Sequence, residues 1–164
     1  MKYQLSITNK CCVIFGYTEI AYIERLYEPL YTVIENEIKN GINKFIMFVH
    51  GDFDKLALYV CRKLRKQYDI QIVVAITLFT RYRNTGVGSE TGLPFNDFFE
   101  DTTRVDYKIK SSSFQAELNA LYERIINQGD KIITYASAKD FEDPIAKALL
   151  SARQQKKEII NLHK

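Results

Sequence analysis

The chain has 164 residues, 46% hydrophobic and 26% charged, with seven glycines and three prolines. That balance excludes collagen-like, low-complexity and strongly disordered classes, and the length suits one domain that buries a core without staples. Twenty-three basic against twenty acidic residues leave +3, too small a bias for a nucleic-acid-binding surface.

Cys11-Cys12-Val13-Ile14-Phe15 opens the readable pattern as a short apolar run ended by Gly16. Such a run suits a strand covered on both faces, as in a parallel sheet. Ile23, Leu26, Leu30, Ile34 and Ile38 recur at intervals of three and four, the stripe of a helix with one buried face. Pro29 is expected to kink that helix or mark where its regular part begins, and Gly41 to stop it.

Phe45 to Val49 is a second buried strand, followed by the turn His50-Gly51-Asp52. A helix from about Phe53 carries Leu56, Val60 and Leu64, with Asp52 or Asp54 expected to cap its start. Ile72 to Ile76 is the third strand. Strands and helices alternating at this spacing predict right-handed parallel crossovers.

Residues 80–101 break the pattern with Gly86, Gly88, Gly92 and Pro94, and read as a long irregular connection anchored by Phe95, Phe98 and Phe99. Val105 to Ile109 reads as a short strand. Ser112-Ser113-Phe114-Gln115 starts a helix through a capping-box pattern, and Leu118, Leu121, Ile125 and Ile126 give it a buried stripe. Ile132 to Tyr135 is a strand, Asp143-Pro144 begins the last helix, and Ile159 to Leu162 ends the sequence as a strand. There is no repeat or linker, so the expectation is one α/β domain over residues 1–164. It would be a three-layer Rossmann-like sandwich around a mainly parallel sheet of five or six strands.

Cys11, Cys12 and Cys61 sit in apolar runs without metal-ligand spacing, which predicts buried thiols in a reducing cytoplasm and no metal. No apolar stretch reaches membrane-spanning length and residues 1–10 lack the apolar core of a signal peptide, so no membrane partner is expected. GxGxxG, GxxxxGK[ST], GxSxG and HExxH are absent. Dinucleotide oxidoreductases, P-loop NTPases, elbow-type serine hydrolases and zinc enzymes are disfavoured, and no cofactor is expected.

In an open parallel sheet, ligands bind outside the carboxyl ends of the strands. That rule nominates Gly16, Tyr17 and Thr18 after the first strand, and His50, Gly51 and Asp52 after the second, with Asp54 one turn on. Each has a plainer reading: turn glycines, a hydrogen-bonded turn histidine, capping aspartates. The basic set Lys55, Arg62, Lys63, Arg65 and Lys66 reads as the wet face of a helix.

Cys-Cys-Val-Ile-Phe-Gly at 11–16 and Gly51-Asp52-Phe53-Asp54-Lys55-Leu56-Ala57 resemble the YpsA-like branch of the SLOG superfamily of Rossmann-like domains. Tyr122-Glu123-Arg124, Asp130 to Tyr135 and Lys156 to Leu162 continue the resemblance over nearly the whole chain. It implies a module binding a nucleotide or nucleotide-derived molecule, and adds Arg124 to the candidate ligand residues. Some distant relatives hydrolyse N-glycosidic bonds, so an enzyme acting on nucleosides or nucleotides is the second reading, with Asp52, Asp54 or Glu90 as its carboxylate. A degenerate interaction protein, pairing as a homo-oligomer through a helix face, is the third. The family's glycine-rich turns are replaced here by Phe15-Gly16-Tyr17-Thr18, His50-Gly51-Asp52 and Asp143-Pro144-Ile145. Proline removes an amide donor and aspartate sets negative charge where a phosphate would rest.

Overall fold

The computed structural model describes residues 10–77, 101–109, 113–139 and 142–163. Residues 78–100, with Glu90 and the three phenylalanines of the irregular connection, lie outside them. Six strands form one sheet: β1 (Lys10–Gly16), β2 (Ile42–Met47), β3 (Gln71–Ile76), β4 (Thr103–Asp106), β5 (Lys131–Tyr135) and β6 (Glu158–Asn161). Their order is β4-β3-β2-β1-β5-β6 and every pairing is parallel. Helices α1 (Tyr27–Lys39) and α2 (Asp52–Arg65) cover one face, and α3 (Phe114–Gln128) and α4 (Pro144–Gln154) the other.

The layering follows from strand alternation. In β1, Cys12 and Ile14 enter the core under α1 and α2, while Cys11, Val13 and Phe15 enter the core under α3 and α4. β2 and β3 divide in the same way, Phe45 and Val74 to the first core and Ile46 and Val73 to the second. A strand buried on both sides has no need of polar residues, hence the unbroken apolar runs.

A single 3-10 turn, Ile23–Leu26, precedes α1, and Pro29 sits in the first helical turn, where its missing amide is harmless. Gly41 has φ 106°, a left-handed conformation that turns the chain from α1 into β2. Pro144 starts α4, and the Asp143 carboxylate caps it by accepting from the Ile145 amide at 2.9 Å. For α3 the cap is Ser113, which accepts from the Ala116 amide at 3.1 Å. Ser112 of the expected capping pair lies outside the described residues, and Gln115 donates to the Glu142 carbonyl.

At the amino edge, Lys131 Nζ bonds the buried Glu37 carboxylate at 2.7 Å and the exposed Glu158 at 3.1 Å, tying α1, β5 and β6 together. The three cysteines are free and buried. Burial pushes the Cys11 thiol up to about 11 and that of Cys61 to about 12, so these groups behave as apolar filling. Among the described residues no helix is long and apolar enough to cross a membrane.

Candidate functional site

The strand order reverses between β1 and β5: from β1 the chain steps outward through β2, β3 and β4, then returns to the far side of β1. The crevice at the carboxyl ends of these two strands is where such sheets receive ligands. The turns after β1, β2 and β5 all reach this edge, so the sequence candidates Gly16, Tyr17, Thr18, His50, Gly51, Asp52 and Asp54 do converge.

They converge by closing on one another. A side chain at Gly16 would meet the Phe53 ring at 2.5 Å, and one at Gly51 would strike the Thr18 backbone. The first amides of α2 are already engaged, Asp52 donating to the Thr18 carbonyl at 2.9 Å and Phe53 to that of Tyr17 at 3.3 Å. Gly51 is the N-cap, with no side-chain cap. The aspartates face backward instead: Asp52 Oδ2 accepts from the Ile20 amide at 2.9 Å, and Asp54 Oδ2 from the His50 amide at 2.8 Å.

The turn after β5 is equally engaged. The Ala136 amide donates to Asn161 Oδ1 at 3.3 Å, and the Ser137 amide to the Tyr17 hydroxyl at 2.7 Å. Rings fill the space between β1 and β5. Tyr17 packs edge-on to Tyr135 and to His163, and Phe53 stacks on Tyr135 with centres 6.1 Å apart. Free amides at helix starts are what make a phosphate cradle, and here they serve the protein's own carbonyls and side chains.

The polar chemistry lies one strand over, at the end of β2. Nδ1 of the half-buried His50 is 2.9 Å from the Tyr122 hydroxyl. Its ring stacks on Phe48 with centres 5.7 Å apart, and Tyr122 meets it edge-on. Asp54 is 1% exposed, and its Oδ1 has no hydrogen-bond partner. Burial raises the Asp54 carboxyl to about 7, against the pull of the His50 and Gly51 amides. Burial, with the nearby Asp54 and Asp143 carboxylates, pushes the Tyr122 hydroxyl well above its ordinary range, so it stays protonated.

Asp143 is legible in the sequence as a cap and as part of the replaced last turn, whereas Tyr122 escapes the sequence reading as a site residue. Tyr122 falls on the buried stripe of α3 beside Leu118, Leu121 and Ile125. A phenol there needs a hydrogen-bond partner, and that requirement is the signal that could have found it. Arg124 does not join the cluster. It is exposed, two residues and about 200° around α3 from the buried Tyr122, with its guanidinium 5.1 Å from the centre of the Tyr107 ring.

A wider cleft of about 600 Å³ lies at the opposite pole, lined by Cys11, Lys44, Arg65, Asp69, Gln71 and Gln128 among others. It sits at the amino ends of the strands, where the helices present carbonyl ends, and Arg65 there is bonded to Asp101. Volume favours that pole; the convergence of strand ends, helix starts and perturbed groups favours His50. Among the described residues no group of three or more His, Cys, Asp or Glu is arranged to hold a metal. No protein-family model matches the chain, and no curated protein matches it.

Proposed function

We propose that this chain is a small-ligand-binding module for a nucleotide-derived molecule, held at the carboxyl edge of the sheet beside His50. The observation that carries the reading is the His50–Tyr122 hydrogen bond, backed by the buried Asp54 carboxyl. The imidazole is half-buried and held from behind by the Tyr122 hydroxyl, which sets its orientation at the end of β2. With Asp52, Asp54 and Asp143 nearby and the α2 amides engaged, the site favours uncharged partners, a base edge or sugar hydroxyls, over phosphate. The parallel sheet and the Asp52-Phe53-Asp54 start of α2 support the resemblance to YpsA-like SLOG proteins as part of this proposal.

Calorimetric titration with a panel of nucleosides and their monophosphates tests the reading. A nucleoside is expected to bind at least as tightly as its monophosphate, and His50→Ala to weaken it tenfold or more. Binding that requires the phosphate, or silence across the panel, would sink the proposal.

One observation favours an enzyme as the second reading: a carboxyl held near neutrality is suited to general acid–base work on an N-glycosidic bond. Base release from a nucleoside that disappears in Asp54→Asn would support it. Release that persists in that variant would remove Asp54 from the chemistry.

A further inference from the structure

Helix α2 carries an outer face that the crevice does not use. From Lys55 to Lys66 it carries Lys55, Arg62, Lys63 and Lys66 with no acidic residue, while Arg65 turns away to Asp101. Tyr59 sits in the middle of this stripe and is 52% exposed, and Tyr22 nearby is 66% exposed. They are the two exposed large apolar side chains among the described residues.

These rings form an ordered surface. Lys63 Nζ lies 5.5 Å from the centre of the Tyr27 ring and 5.1 Å from that of Tyr59, and the Arg25 guanidinium lies 4.9 Å from Tyr22. Tyr27 packs on Tyr31 and Tyr59 with centres 6.0 and 5.8 Å apart. Between the 3-10 turn and α2 runs a groove of about 280 Å³, walled by Ile23, Leu56, Leu58 and Tyr59, with Asp52, Lys55 and Arg62 completing its lining.

We propose that this groove docks a partner protein through an acidic segment carrying one large apolar side chain. Tyrosine and arginine dominate the cores of protein interfaces, where an apolar anchor fills a pocket and charges ring it. The anchor would lie against Ile23, Leu56 and Leu58. Lys55 and Arg62, seven residues apart, stand ~10 Å apart along the helix. Carboxylates four residues apart in an extended chain share one face with the side chain midway between them and span ~13 Å at ~3.3 Å per residue, within reach of these two long cations.

Charge also selects against the other occupants. A second copy meeting this face through a two-fold axis would set lysines and arginines against themselves. A single-stranded nucleic acid needs open aromatic faces for stacking, whereas cations already lie over Tyr22, Tyr27 and Tyr59.

Fluorescence polarisation of the full chain with a labelled Glu-Gly-Phe-Gly-Glu peptide tests the proposal. Glutamate-only, lysine–phenylalanine and oligothymidine probes serve as comparisons. Saturable binding of the glutamate–phenylalanine peptide is expected, at least tenfold tighter than any comparison probe. Tyr59→Ala and the double variant Lys55→Glu/Lys63→Glu should each weaken it tenfold or more while circular dichroism is unchanged. No saturation, equal affinity in the double variant, tighter binding of oligothymidine, or a dimer in sedimentation that Tyr59→Ala dissolves would each overturn it.

Discussion

The Tyr122 hydroxyl reaches His50 Nδ1 at 2.9 Å across 72 positions of sequence, joining the end of β2 to the middle of α3. Tyr122→Phe keeps the ring that packs on Phe48 at 4.4 Å and on Phe15 at 5.8 Å, and removes only the hydroxyl. The expected loss is ~1 kcal/mol in urea unfolding, with a tenfold or greater loss of nucleoside affinity. A stability loss without any affinity loss would confine Tyr122 to the core.

Asp54 makes folding depend on pH with a defined sign. Burial raises its folded carboxyl from 3.8 to about 7, so the folded protein holds a proton that the unfolded chain has released between those values. This contribution is fully present below pH 4 and is lost as pH rises to about 7, at up to ~1.4 kcal/mol per pH unit. Urea midpoints from pH 4.5 to 7.5 should fall more steeply for the wild type than for Asp54→Asn. Equal slopes would contradict the assignment.

Glycine at 51 is required by contact, since its φ of 176° is extended backbone open to any residue. Gly51→Ala drives a methyl into the Thr18 backbone, and Gly16→Ala drives one into the Phe53 ring. Overpacking of this kind costs ~1–3 kcal/mol. Gly51→Ala should cost more, because a backbone yields less readily than a ring. Chemical denaturation of the two variants side by side measures the difference.

The Lys131 pair separates a buried ion contact from an exposed one. Lys131→Met leaves the Glu37 carboxylate buried without its cation, at a cost of ~3–5 kcal/mol. Glu158 is 71% exposed at its side chain, and Glu158→Gln should cost under ~1 kcal/mol. Comparable losses in guanidinium unfolding would mean that the Glu37 contact is solvated.

The architecture was readable because three apolar runs, 11–15, 45–49 and 72–76, each feed both cores, and helical spacing survives between them. Boundaries slipped where polar residues begin a strand: β2 starts at Ile42, because Ile42 and Lys44 pair with β1, and Lys44 also with β3, before the apolar run begins. The gathering of the candidate turns at one edge of the sheet was equally legible, since turns after parallel strands must meet there. What fills it was not. Tyr17, Phe53, Tyr135 and His163 come from four separate segments, and no local pattern announces that their rings meet. The aspartates misled for a related reason: a capping signal fixes where a helix starts, but Asp52 and Asp54 each find a preceding loop amide.

The most direct test is a nuclear magnetic resonance titration of the isotope-labelled chain with a nucleoside, following amide shifts and the His50 imidazole. The account predicts saturable shifts confined to His50, Gly51, Asp54, Tyr122 and their neighbours. Shifts gathered instead around Lys44, Arg65 and Gln71 at the opposite pole, or none at saturating nucleoside, would contradict it.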